Sequence, residues 1–142
     1  MPKVEGEFEV RRDAQPALDL GDGAQAAHLR FDKTFRGPLE ATGVVHMLAV
    51  GTATEGSAAY VAVERIVGTL EGRAGSFFLH HTGVMDRGAP SLAIGVVPDS
   101  GTGALAGLRG TLTIEIADGH HGYAFDYTLP DGVAAPDAAA AS

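Results

Sequence analysis

The sequence predicts an all-β fold, an antiparallel and roughly eight-stranded β-barrel, and three observations carry that expectation. Apolar residues alternate with polar ones over stretch after stretch, the period-two signature of strands half buried against a core. Glycine makes up 20 of the 142 residues, about twice the usual share, and has no Gly-X-Y period. It falls at turns and between alternating apolar residues, where it marks tight turns, bulges and barrel bends. No stretch sustains the i, i+3, i+4 apolar spacing of a helix.

The elements follow in order. Lys3 to Arg11 sets Val4, Phe8 and Val10 on one face and Lys3, Glu5, Glu7 and Glu9 on the other, a half-buried strand. Asp13 to Gln25 carries Pro16, Gly21, Asp22 and Gly23 and reads as a loop. From Ala27 to Phe35 the alternation turns Leu29, Phe31 and Phe35 inward and His28, Arg30, Asp32 and Thr34 outward. Leu39 to Val50, Ala58 to Leu70, Ala74 to Met85, Ser91 to Val97, Leu108 to Ala117 and Gly122 to Leu129 complete the series. So many strands with short turns make an antiparallel barrel or sandwich. Residues 1–130 are expected to form one barrel domain, and 131–142 a flexible alanine-rich tail.

Two hairpins can be registered. Glu71-Gly72-Arg73-Ala74 suits a two-residue turn with Gly72 first, the type II′ preference. Closure there pairs Gly68 with Phe77, Ile66 with Leu79 and Glu64 with His81. In Ala117-Asp118-Gly119-His120 the Asp-Gly pair favours a type I′ turn. It pairs Ile116 with His121, Ile114 with Tyr123 and Leu112 with Phe125, and a one-residue slip would destroy that match of apolar faces.

Composition excludes several classes. Lys and Arg number 10 against 18 Asp and Glu, a net charge of −8, and Arg11-Arg12 is the sole basic doublet. Nucleic acid and anionic membranes are therefore not expected partners. The apolar run Val44 to Val50 is broken by His46 and falls far short of a membrane span, and the first residues lack the apolar core of a signal peptide. Cytoplasmic residence is the expectation. Cysteine is absent, which removes disulfides, thiol nucleophiles and Cys-based zinc sites.

The motifs Phe35-Arg36-Gly37, Glu64-Arg65-Ile66, Gly68-Thr69-Leu70-Glu71-Gly72-Arg73, Gly75-Ser76-Phe77, His81-Thr82-Gly83 and Ser100-Gly101-Thr102-Gly103 through Leu108-Arg109-Gly110 occur in an order and spacing that resembles the DUF3224 family of small bacterial proteins. The likeness spans about Glu5 to Leu129. It implies an eight-stranded barrel with a pocket, similar to allene oxide cyclase and dirigent-type proteins, which guide apolar intermediates through ring closure or coupling. It also implies a homo-oligomer. No motif of the plant cyclases' catalytic residues is matched, and the chain has no asparagine for an Asn–water oxyanion clamp.

Glu64 and His81 are the candidate catalytic pair. Tyr60, Ala62, Glu64 and Ile66 share one strand face, and Phe77, Leu79 and His81 share a face of the next. If both faces line the interior, the pair is a desolvated acid–base couple able to abstract or donate a proton. The alternative is a structural Glu–His bond that fixes strand register. Tyr60, His46, Phe77, Leu79, Tyr123, Phe125 and Tyr127 are the candidate substrate-binding residues. Six histidines invite a metal, but in His80-His81 and His120-His121 adjacent side chains point to opposite faces, so neither a metal nor an organic cofactor is expected. Gly101-Thr102-Gly103 fits a loose dinucleotide fingerprint, yet a β-type run follows where a helix is required. The leading expectation is a cyclase or isomerase acting on an apolar, oxygen-bearing substrate. The competing one is a non-catalytic barrel that binds or scaffolds a lipophile. A void with Glu64 on its wall favours the first, an all-apolar void the second, and a barrel filled by side chains a purely structural protein.

Overall fold

A computed structural model describes residues 3–130, and within them eight strands close into one antiparallel barrel. The strands are β1 (Lys3–Gly21), β2 (Ala24–Arg36), β3 (Leu39–Gly51), β4 (Ala58–Leu70), β5 (Arg73–Asp86), β6 (Ala89–Val96), β7 (Arg109–Ala117) and β8 (His120–Thr128). Each pairs with its sequence neighbours, and β8 returns to β1. The expected tail, 131–142, lies outside the described residues.

The stretch expected to be a loop, Asp13 to Gln25, is instead the outer part of a long hairpin. Only Asp22-Gly23 turns, with φ of 53° and 81°. Pro16 sits where the β1–β2 ladder shifts register between Gln15 and Leu18, a place where its missing N–H breaks no ladder bond. The turn residues at Gly21 to Gly23 were therefore the true signal, and the proline marked an irregularity within a strand.

The β7–β8 hairpin has the expected register, with Ile114 opposite Tyr123, Leu112 opposite Phe125 and a turn at Asp118-Gly119. The β4–β5 hairpin differs by two residues. Leu70 faces Arg73, Ile66 faces Phe77 and Glu64 faces Leu79, so His81 lies opposite Ala62. The turn is Glu71-Gly72, with φ of 49° and 83°, a type I′ geometry in which glycine holds the second central position. A shift of two leaves every side chain on its original face, so the inward set is unchanged.

The two ends of the barrel differ. At one end the β2–β3 and β4–β5 turns meet the connection between β6 and β7. Its short 3₁₀ helix over Gly103–Leu105 drives Leu105 and, just beyond, Leu108 into the barrel, both fully buried. Ser100 and Thr102 hold that connection along β5: the Ser100 hydroxyl accepts the Phe78 N–H at 3.0 Å, and the Thr102 hydroxyl accepts that of Ser76 at 3.0 Å. The Ser-Gly-Thr-Gly run is thus a plug-positioning loop. Above it Phe35, Leu39, Ile66, Leu70, Phe77, Leu79 and Phe125 form a dry core, each side chain contributing roughly 1.5–3 kcal/mol by its burial. The opposite end is open, and Leu20, Val50, Met85, Leu92 and Ile116 are exposed there.

Candidate functional site

Between the dry core and the open mouth lies a cluster of three inward-facing polar side chains. Glu64 on β4 has no exposed side-chain surface. The two-residue offset makes it a diagonal neighbour of His81, close enough for long side chains to meet. The His81 Nε2–H donates to Glu64 Oε1 at 2.8 Å. The third member is Lys33 on β2, only 9% exposed, whose ammonium donates to the same oxygen at 3.3 Å. Its Nζ also stands 5.0 Å from the centre of the Phe8 ring and 5.8 Å from that of Phe35, distances at which aromatic faces favour a cation. Both donors thus converge on one carboxylate oxygen, and the other, Oε2, is buried without a hydrogen-bond partner.

Gly43 makes this arrangement sterically possible. It lies in the β3 register between Lys33 and Ile66, and a Cβ there would press into Glu64 Oε2 and the Phe35 ring. Lys33 and Gly43 are the members of the cluster that the sequence does not single out. The signal for Lys33 was present, since it shares parity with the inward Phe31 and Phe35.

One layer nearer the mouth, the inner faces of β3 to β6 form an apolar pocket of about 290 Å³. Met47, Ala49, Tyr60, Gly83, Met85 and Leu92 supply its walls. Burial pushes the Tyr60 phenol above its ordinary pKa, so it is neutral at physiological pH. Gly83 is required opposite it, because a Cβ at that position would collide with the Tyr60 ring. Glu64 is not part of the pocket wall.

The remaining candidates are placed as follows. Phe77, Leu79 and Phe125 belong to the dry core. Tyr123 spans the barrel: its hydroxyl accepts the Leu39 N–H at 3.0 Å and donates to the Arg36 carbonyl at 2.9 Å, tying β8 to the β2–β3 turn. Tyr127 donates to the Glu71 carboxylate at the closed end, where burial and that carboxylate push its pKa up to about 12. His46 lies on the outer face, where its Nδ1 shares a 2.8 Å hydrogen bond with His28 Nε2. Of the seven candidate lining residues, Tyr60 alone lines the mouth pocket. Among the described residues no group of three or more His, Asp or Glu side chains is arranged to hold a metal ion.

An eight-stranded closed barrel with one plugged end, a buried ion cluster and an apolar mouth is a fold compatible with small hydrophobic ligands. The chain belongs to the DUF3224 family, described as a protein of unknown function, whose model matches residues 4–127. No curated protein matches it. Among solved structures it is similar to a DUF3224-family protein of unknown function from Shewanella oneidensis MR-1, at 44% identity and a TM-score of 0.85. That match covers 92% of this chain and 98% of the other.

Proposed function

We propose that the protein binds one small, largely apolar molecule in the mouth of its barrel and performs no chemistry on it. The observation that carries this is the apolar pocket of about 290 Å³, whose wall does not include the Glu64 carboxylate. Its size lies at the lower limit of the roughly 300–1,000 Å³ typical of ligand sites, which favours a compact guest. Tyr60 offers one neutral hydroxyl to orient an oxygen atom on that guest.

The 2.8 Å Glu64–His81 bond supports a second reading, acid–base catalysis in a cyclase or isomerase. It is the weaker one. The carboxylate is already neutralised by Lys33, and a substrate would have to enter a layer packed by side chains. The likeness to allene oxide cyclase-like barrels supports a pocketed barrel as readily as a cyclase, because fold alone does not fix chemistry.

The test is a thermal-shift and calorimetric screen against medium-chain alcohols, ketones and cyclic terpenoids. Binding should raise the melting temperature with ligand concentration, by about 2.7 kcal/mol of stability at a hundredfold excess over Kd. Leu92→Trp, which fills the exposed rim, and Gly83→Ala, which forces the Tyr60 ring to move, should both weaken it. Binding that survives both changes would place the ligand elsewhere. Turnover abolished by Glu64→Gln would favour the catalytic reading.

A further inference from the structure

We propose that the outer face of β3, β4 and β5 is the contact surface of a two-fold dimer of this chain. Soluble barrels normally turn polar residues outward on this face. Here the register stacks Leu48 beside Val61, His46 beside Val63 and His80, Val44 beside Arg65 and Phe78, and Val50 beside Ala59 and Val84. The large members are well exposed: Val61 53%, Val63 56%, Val84 47%, Val67 42%, Phe78 41% and Leu48 37%. A contiguous apolar patch of this kind marks an interaction site rather than scattered surface hydrophobes.

Charge distribution selects the occupant. The chain carries a net charge of −8. Between Val44 and Val50, Ala59 and Arg65, and Phe78 and Val84, the outward residues include no carboxylate. Glu40 and Asp86 stand only at the ends of β3 and β5, at the margins of the face, whereas Glu5, Glu7 and Glu9 on β1 and Glu115 on β7 lie on other parts of the barrel wall. Two copies meeting through β3–β5 therefore turn their acidic sides away from each other. An anionic lipid surface would be repelled by the same net charge. Among its exposed residues the valines, Leu48 and Phe78 outnumber the polar His46, Arg65, His80 and Thr82, so what it fits best is another flat, valine-rich sheet, as in stacked β-sheets.

The area suffices. Strands of 13, 13 and 14 residues form the face. At about 4.8 Å between strands and about 3.4 Å per residue, the full strands present roughly 600 Å², of which the carboxylate-free middle is a little over half and the ends bearing Glu40 and Asp86 form a polar rim. Margins on β2 and β6 bring this towards the about 800 Å² per partner of a standard stable interface.

The experiment is sedimentation equilibrium with light scattering on the full chain at micromolar concentration. The expected mass is twice the 14.5 kDa of one chain. Val63→Glu places two like charges in the interface and should raise the dissociation constant about 100-fold or more, with the far-ultraviolet circular dichroism unchanged. Val61→Lys should do the same by itself, so the test survives if one variant misfolds. An equimolar mixture of the two should re-form a dimer. Thr113→Glu, on the outer face of β7, should leave association intact. A monomer throughout, a trimer or tetramer, or a dimer indifferent to both folded variants would overturn the proposal. So would a monomer that binds phosphatidylcholine vesicles through this face, which would assign it to lipid.

Discussion

Breaking the buried ion pair should reveal its energy in a double-mutant cycle between Lys33 and Glu64. Glu64 has a side-chain exposure of 0% and Lys33 of 9%, so solvent screens their 3.3 Å contact very little. Glu64→Gln leaves the ammonium over the Phe8 and Phe35 rings with no counter-charge. Removing one partner of such a pair costs about 3–5 kcal/mol. For a chain of this length that is a fall in melting temperature of roughly 10–15 °C. Lys33→Met should cost somewhat less, because His81 still donates to the carboxylate at 2.8 Å. The double variant removes both charges and should recover most of the loss, since replacing a whole buried pair by apolar or neutral groups is often close to neutral. The coupling should therefore exceed about 2 kcal/mol, measured by urea unfolding with constant m-value. Additive losses, or a cost below about 1 kcal/mol for Glu64→Gln, would show that water reaches the cluster and refute its burial.

Two further outcomes follow from the tyrosines. Tyr123→Phe leaves the buried Leu39 N–H without its 3.0 Å acceptor and should cost about 1–3 kcal/mol in urea unfolding, whereas no loss would mean another acceptor takes over. Tyr127 has its folded pKa raised from 10 to about 12, first by burial and then by Glu71. Folding thus favours its neutral form, so this stabilisation is complete below pH about 10 and lost as pH rises towards about 12. Tyrosinate absorbance should show a late-titrating group that disappears in Tyr127→Phe; its appearance near pH 10 in the intact fold would contradict the assignment.

The parts of the fold legible in the sequence were those governed by alternation and by a strong turn dipeptide. Ile114, Tyr123, Leu112 and Phe125 fell into register because a slip of one would have exposed them all. The β4–β5 register was less legible because a slip of two keeps Glu64, Ile66, Phe77 and His81 on the same face, so burial could not discriminate. The meeting of Glu64 with His81 was anticipated as a direct pair and occurs as a diagonal one. Lys33 is hard to read from the sequence because a lysine between aromatic residues is ordinarily an exposed position, although its parity is inward. The mouth pocket was invisible for a different reason: it depends on how far four strands project beyond the core, and Phe77, Leu79 and Phe125, equally inward by pattern, end up at the filled end.

Stability alone does not account for the cluster, since a well-packed apolar trio would do as well. Its geometry does distinguish between registers that the apolar pattern leaves equivalent. With Glu64 opposite Leu79, its carboxylate reaches His81 on one side and Lys33 across β3 on the other, in the space left by Gly43. Sliding β5 by two residues would change that reach while keeping Ile66, Phe77 and Leu79 inward. The turn opposes the slide only weakly, because Gly72 can serve as the second residue of a type I′ turn or the first of a type II′ turn. We therefore expect the Lys33→Met, Glu64→Gln double variant to remain folded and to populate a second β4–β5 register. Its amide spectrum should show doubled cross-peaks for Val63 to Leu79, with cross-strand contacts from Ile66 to Leu79 as well as to Phe77. A single set of peaks with only the Ile66–Phe77 contact would show that the Glu71-Gly72 turn and the fit of Gly83 against the Tyr60 ring set the register without the cluster.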